Sequence, residues 1–256
     1  MTSLVLPTTP RARPAPSIDR DTFQLIGPPK AGKTTGALSF PNCLLIDCER
    51  GARKYGGLVV DVLEEAEKAG TGPISVLRSL YAQLSKDCQY GAVAIDTVDA
   101  LSRWFEAEAV HSMNEKHGRG KNNKPLYTNI ADIDYGAGHA EHRAKVMAML
   151  EAYVRLPCIK ILIAHSKTMI SDEVGTQVKV ADLPGKLGHW VPAVCDHIGM
   201  VRMDPKRGPL VEWSGYEVQT QKGFSIQQAG SRLSELNGKT MPLTYDAIMA
   251  ELNGAA

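Results

Sequence analysis

Short apolar runs, each closed by a glycine or a polar residue and each separated from the next by polar or helical stretches, set the rhythm of this chain. Phe23–Ile26, Cys43–Ile46, Ala92–Ile95 and Ile159–Ala164 are the four clearest, and they end at Gly27, Asp47, Asp96 and His165. Runs of this length, bounded by turn signals, fit strands covered on both faces. A helix is expected from Lys33 to Leu38, and Ile74, Leu77, Leu80 and Leu84 recur at near-helical spacing after Gly72-Pro73. Charged helical stretches lie before the third and fourth runs. The alternation predicts an α/β fold with a mostly parallel central sheet flanked by helices.

The texture changes after Ala164. Met169–Val180 alternates around Gly175 as a hairpin or loop would, and His197–Met203 and Leu210–Gln219 read as strands that extend the sheet. These are expected to be antiparallel strands at the C-terminal side, followed by a terminal helix over Tyr245–Leu252. With 256 residues, 43% of them hydrophobic, the chain can bury one sizeable core. One domain is expected over 21–256, with an insertion near 115–134. Residues 1–20, with prolines at 7, 10, 14 and 16, read as a flexible arm.

The formal net charge of +1 excludes a global basic field, so any nucleic-acid site must be a local patch. Five cysteines lack metal-ligand spacing and suit buried thiols in a reducing cytoplasm. No apolar run is long enough for a signal-peptide core or a membrane span.

Chemistry enters at Gly27-Pro28-Pro29-Lys30-Ala31-Gly32-Lys33-Thr34-Thr35, which fits G-x-x-x-x-G-K-[ST] between an expected strand and an expected helix. Such a loop wraps phosphate in backbone N–H groups, its lysine (Lys33) reaches the outer phosphates, and its hydroxyl (Thr34) serves magnesium. ATP and Mg2+ are therefore the expected ligands. A second acid at the end of a neighbouring strand should complete the magnesium site, and Asp96 is placed for it. Hydrolysis also needs a group that orients or deprotonates water, and Thr97, not a glutamate, follows Asp96. Glu49 lies just past the second strand, where it could face the nucleotide; from position alone it could equally belong to a solvated Glu49-Arg50 turn.

Three segments resemble the RecA-type recombinase core: Gly27 to Thr35, Cys43 to Glu49, and Ala94-Ile95-Asp96-Thr97-Val98-Asp99-Ala100-Leu101. The resemblance implies a RecA-like P-loop ATPase with Glu49 as the water-activating base and Asp96 as the magnesium acid. The chain also resembles small phage proteins that keep a RecA-like core and act in single-strand annealing. In Ile161-Leu162-Ile163-Ala164-His165-Ser166-Lys167, His165 stands where RecA has a γ-phosphate-sensing glutamine. The likeness covers roughly 23–225, loosely so at Leu183 to Trp190, and the large flanking domains of some recombinases are missing. It implies a homo-oligomer, ring or filament, whose sites receive a cation in trans, with Lys186 and Lys222 as the candidates.

The stretch His117-Gly118-Arg119-Gly120-Lys121-Asn122-Asn123-Lys124-Pro125, with Lys116 before it, concentrates positive charge in what reads as one loop. Lys116, Arg119, Lys121 and Lys124 could track a phosphate backbone, with Tyr127 near enough to stack a base; an ordinary solvated loop is the competing reading. Lys167–Lys179 is placed like the family's second DNA loop but carries Asp172 and Glu173. His139-Ala140-Glu141-His142 lacks the H-E-x-x-H spacing of a zinc helix. Asp132 and Asp134 suit caps or turns, and Trp104, Trp190 and Trp213 suit packing.

The leading expectation is a phage recombination ATPase, stimulated by single-stranded DNA, that promotes annealing or homologous pairing alongside a single-strand-binding protein. Two alternatives remain from sequence: a P-loop phosphotransferase acting on a small molecule, and an ATP-dependent loader or scaffold for a replication protein.

Overall fold

The computed structural model describes residues 17–118, 120, 124–171, 176–213, 216–219 and 225–254. The strands are β1 (Thr22–Gly27), β2 (Cys43–Asp47), β3 (Leu58–Asp61), β4 (Ala92–Asp96), β5 (Ile159–Ser171), β6 (Thr176–Ala181), β7 (His197–Asp204), β8 (Gly208–Glu212), β9 (Tyr216–Gln219), β10 (Ser225–Ser231) and β11 (Thr240–Pro242). The helices are α1 (Lys33–Leu38), α2 (Val62–Ala69), α3 (Pro73–Lys86), α4 (Val98–His117), α5 (Ala137–Val154), α6 (Leu187–Val194) and α7 (Tyr245–Leu252). The architecture is the expected one: mixed α/β, with a mostly parallel sheet and antiparallel strands toward the C-terminal end.

The sheet runs β11-β8-β7-β1-β5-β4-β2-β3. β3, β2, β4, β5, β1 and β7 form its parallel part. Two expectations change here. β7 pairs parallel with β1, and its antiparallel partners are β8 and β10. β5 continues past Ala164 to Ser171, and this outer half pairs antiparallel with β6, the hairpin anticipated around Gly175; residues 172–175 lie outside the described residues.

Both faces of the sheet are covered, which is why its strands read as continuous apolar runs. Ile26, Leu44, Ile46, Val93, Ile95 and Leu162 pack with Leu77, Phe105, Val146, Leu150 and Val191 of α3 to α6. On the other face, Phe23, Leu25, Leu45, Ala94, Ile161 and Ile163 pack with Ala37, Phe40, Trp213, Ile248 and Leu252. Trp213 is fully buried, as the packing reading required. The packed chain begins earlier than the expected boundary at 21, because Ile18 is buried in the second cluster and the Lys160 ammonium bonds the Arg20 carbonyl. The preceding residues, 1–16, lie outside the described residues. Among the described residues no helix is long and apolar enough to cross a membrane.

Candidate functional site

The site follows from register. Gly27 on β1 lies opposite His165 on β5, Asp96 on β4 opposite Ile163 on β5, and Asp47 on β2 opposite Asp96. The carboxyl ends of β1, β4 and β2, and the point on β5 level with them, therefore present Gly27, Asp96, Asp47 and His165 along one rim, the usual place for a ligand in an open α/β sheet. β5 separates the P-loop strand from the strand of the magnesium acid. The expectation of adjacent strands is corrected, because strand order is a long-range property that motif spacing does not encode.

Gly27 to Thr35 joins β1 to α1. Pro28, Pro29 and Lys30 are exposed, Ala31 and Lys33 are buried, and Thr35 is exposed at the first turn of α1. The two motif glycines meet a packing demand as well as a ligand demand. A Cβ on Gly27 would lie 2.4 Å from the Val201 carbonyl oxygen, and one on Gly32, whose φ is +89°, would lie 2.5 Å from the Pro209 Cβ. Strands β7 and β8 thus press on the loop from outside. The Lys33 ammonium donates to the carbonyls of Gly27 and Pro28, each at 2.8 Å. Burial lowers its pKa, against the opposing pull of Asp96, Asp99 and Glu49.

The Thr34 hydroxyl donates to Asp96 Oδ2 at 2.6 Å. Burial pushes the Asp96 carboxyl up to about 6; the Thr34 bond opposes this, and the Asp47 charge adds to it. An alcohol oxygen and an under-bonded carboxylate are the hard oxygen donors that magnesium takes. Thr34 and Asp96 thus have the chemistry to fit the ion, and would be the residues to hold it.

Glu49 is set by its neighbour two residues back. Asp47 is buried and accepts from the backbone N–H groups of Glu49 (2.9 Å), Gly51 (3.2 Å) and Ala52 (2.7 Å), which curls the loop after β2 back onto the strand end. Glu49 itself is exposed, with Arg103 3.3 Å from one carboxylate oxygen and His165 Nε2 3.9 Å from the other. The second distance is too long for a hydrogen bond but within reach of an ion pair. His165 is held by Asp99: its backbone N–H donates to Asp99 Oδ1 at 3.0 Å, and its Nδ1 lies 2.9 Å from Oδ2. Glu49, Asp99 and His165 bring one ligand-capable atom each within 4.8 Å of one another.

The rim thus gathers Lys33, Thr34, Glu49, Asp96 and His165, all named from sequence. Asp99 and Arg103 were missed as site residues. The available signal was an acid in the first turn after the Asp96 strand, with a cation four positions later on the same helical face.

The basic stretch is less coherent than its sequence suggests. Lys116 is in the last turn of α4, not in a loop, and its ammonium is 2.7 Å from Glu141 of α5. Lys124 is exposed, and Arg119 and Lys121 lie outside the described residues. Tyr127 is occupied, exchanging backbone hydrogen bonds with the Asn114 side chain and placing its hydroxyl 2.9 Å from His117. Asp132 caps a short 3-10 turn with Asn129, as expected of a cap. His142 is buried against Ser102, well away from zinc geometry. Of the proposed trans cations, Lys186 is exposed at the start of α6 and Lys222 lies outside the described residues.

A family profile described as an AAA domain matches residues 20–235. No curated protein matches the chain. Among solved structures, the RadB recombinase is similar at 16% identity and a TM-score of 0.38, over 80% of this chain and 90% of its own. A prototypical ATPase from the type III secretion system of pathogenic bacteria is similar at 12% identity and a TM-score of 0.42, over 91% of this chain and 62% of its own.

Proposed function

Because the chain belongs to the AAA-domain family, we propose that it is an ATP-hydrolysing, RecA-like protein that assembles on single-stranded DNA and promotes annealing or homologous pairing. The observation that carries the ATPase half is the 2.6 Å contact between Thr34 and Asp96 at the rim, with Lys33 buried behind the loop and Glu49 beside it. Lys33 exchanges the Gly27 and Pro28 carbonyls for the outer phosphates. Thr34 and Asp96 would hold magnesium, which would supply neutralisation of the charge on the phosphate oxygens. Glu49 orients water and accepts its proton, and His165 meets the γ-phosphate. The DNA half rests on the resemblance to the recombinase core and on the basic residues Arg119, Lys121 and Lys124 of the sequence. In this reading subunits assemble around the nucleotide, with Lys186 or Lys222 as the cation supplied in trans.

The test is ATP hydrolysis with and without single-stranded DNA, in wild type and Glu49→Gln. DNA-stimulated turnover that falls by about 10²-fold or more in the variant is expected. Turnover indifferent to DNA would remove the recombination half, and phosphate transfer to a small metabolite would replace it with a phosphotransferase.

A further inference from the structure

Asp99 spends both carboxylate oxygens on one residue. Its position is fixed from below: Thr97 caps α4 by accepting the Ala100 N–H at 3.3 Å, and the Leu101 N–H reaches the Thr97 carbonyl at 3.0 Å. The carboxylate is 7% exposed, so its two bonds to His165 form largely out of water, where they are strong and costly to lose. The bond to the His165 backbone would suffice to finish the strand. The second bond, to Nδ1, adds something else: it fixes the ring's rotation, makes Nδ1 a donor to Asp99, and turns Nε2 toward Glu49. Ligating and catalytic imidazoles are oriented in the same way by a carboxylate behind them.

We propose that Asp99 is a positioning residue for hydrolysis, holding the His165 ring so that Nε2 faces Glu49 and the γ-phosphate. It touches neither water nor nucleotide and acts through His165. The assignment rests on the ATPase reading above and deepens it.

The test is Asp99→Asn, made in wild type and in His165→Gln, with kcat and KM for ATP measured and folding checked by thermal melting. Asparagine keeps an oxygen for the backbone N–H but turns an NH2 donor toward Nδ1 in place of an acceptor, and a glutamine at 165 has no tautomer to select. The expected result is a fall in kcat of about 10–100-fold with KM within about threefold in wild type, and a fall of about twofold or less in the His165→Gln background. Equal losses in both backgrounds, no loss, or a loss confined to KM would overturn the assignment. If His165→Gln leaves no turnover to compare, ring-nitrogen NMR decides: the Nδ1–H form of His165 in wild type should give way in Asp99→Asn, and an unchanged ring spectrum overturns the proposal. Wild type that hydrolyses no ATP, with or without DNA, would instead bring down the ATPase reading, and this assignment with it.

Discussion

Asp47 and Asp96 are the same residue at paired positions on neighbouring strands, yet they are bonded in opposite ways. Asp47 accepts three backbone N–H groups, with both oxygens engaged. Asp96 takes one hydroxyl, and its burial raises it to about 6. A buried carboxylate wrapped in amides is a structural part. One left short of partners beside a phosphate loop is a place for a cation.

Asp96→Asn should produce the largest effect, a loss of about 10³-fold in magnesium-dependent kcat, measured in a coupled phosphate assay with folding intact. Asp47→Ala should reverse the pattern, costing about 2–4 kcal/mol in denaturant unfolding because three amides lose a charged acceptor. Equal stability losses in the two variants would erase the distinction.

The pH dependence of stability gives a third test. The folded pKa of Asp96 lies above its ordinary value, so the folded state binds this proton more tightly than the unfolded state. The penalty for its charge is fully present above pH about 6 and is relieved as pH falls from there toward 4. Without magnesium, wild type should therefore be less stable than Asp96→Asn at pH 8 by roughly 1–3 kcal/mol, with the gap closing near pH 4. Gln24 sharpens the contrast from inside the sheet. It is fully buried, and both amide atoms lack a partner among the described residues. Gln24→Leu should raise stability by about 1 kcal/mol in the same unfolding assay and leave kcat unchanged. Smallest of all, Arg103→Ala should change kcat by less than about threefold, since the Arg103 side chain is 64% exposed and its pair with Glu49 is screened.

The parts legible in sequence were those with dense local signals. The apolar runs gave β1, β2, β4 and the inner half of β5, the spacing of leucines gave α3, and the glycine loop gave α1. β3 escaped because it is a four-residue edge strand, partly exposed from Leu58 onward, with no buried run to announce it. α2 went with it, although Asp61 caps that helix. The rim residues Lys33, Thr34, Glu49, Asp96 and His165 could be named because motifs and resemblance singled them out. Their companions could not: Asp99 lies 66 residues from His165, and Arg103 lies 54 from Glu49. Such pairs become visible only once strand order is known. Lys116 misled for a related reason, since charge counted along the chain does not reveal the Glu141 waiting across the helix pair.

β5 is hydrogen-bonded to β1 on one side and to β4 on the other, so it works as a ruler laid between two instruments. Slide it by one residue and every side chain changes face, while the phosphate-loop motif and Asp96 lose their common zero. The spacing of the nucleotide site is in this sense stored in a strand that contributes only His165 to it.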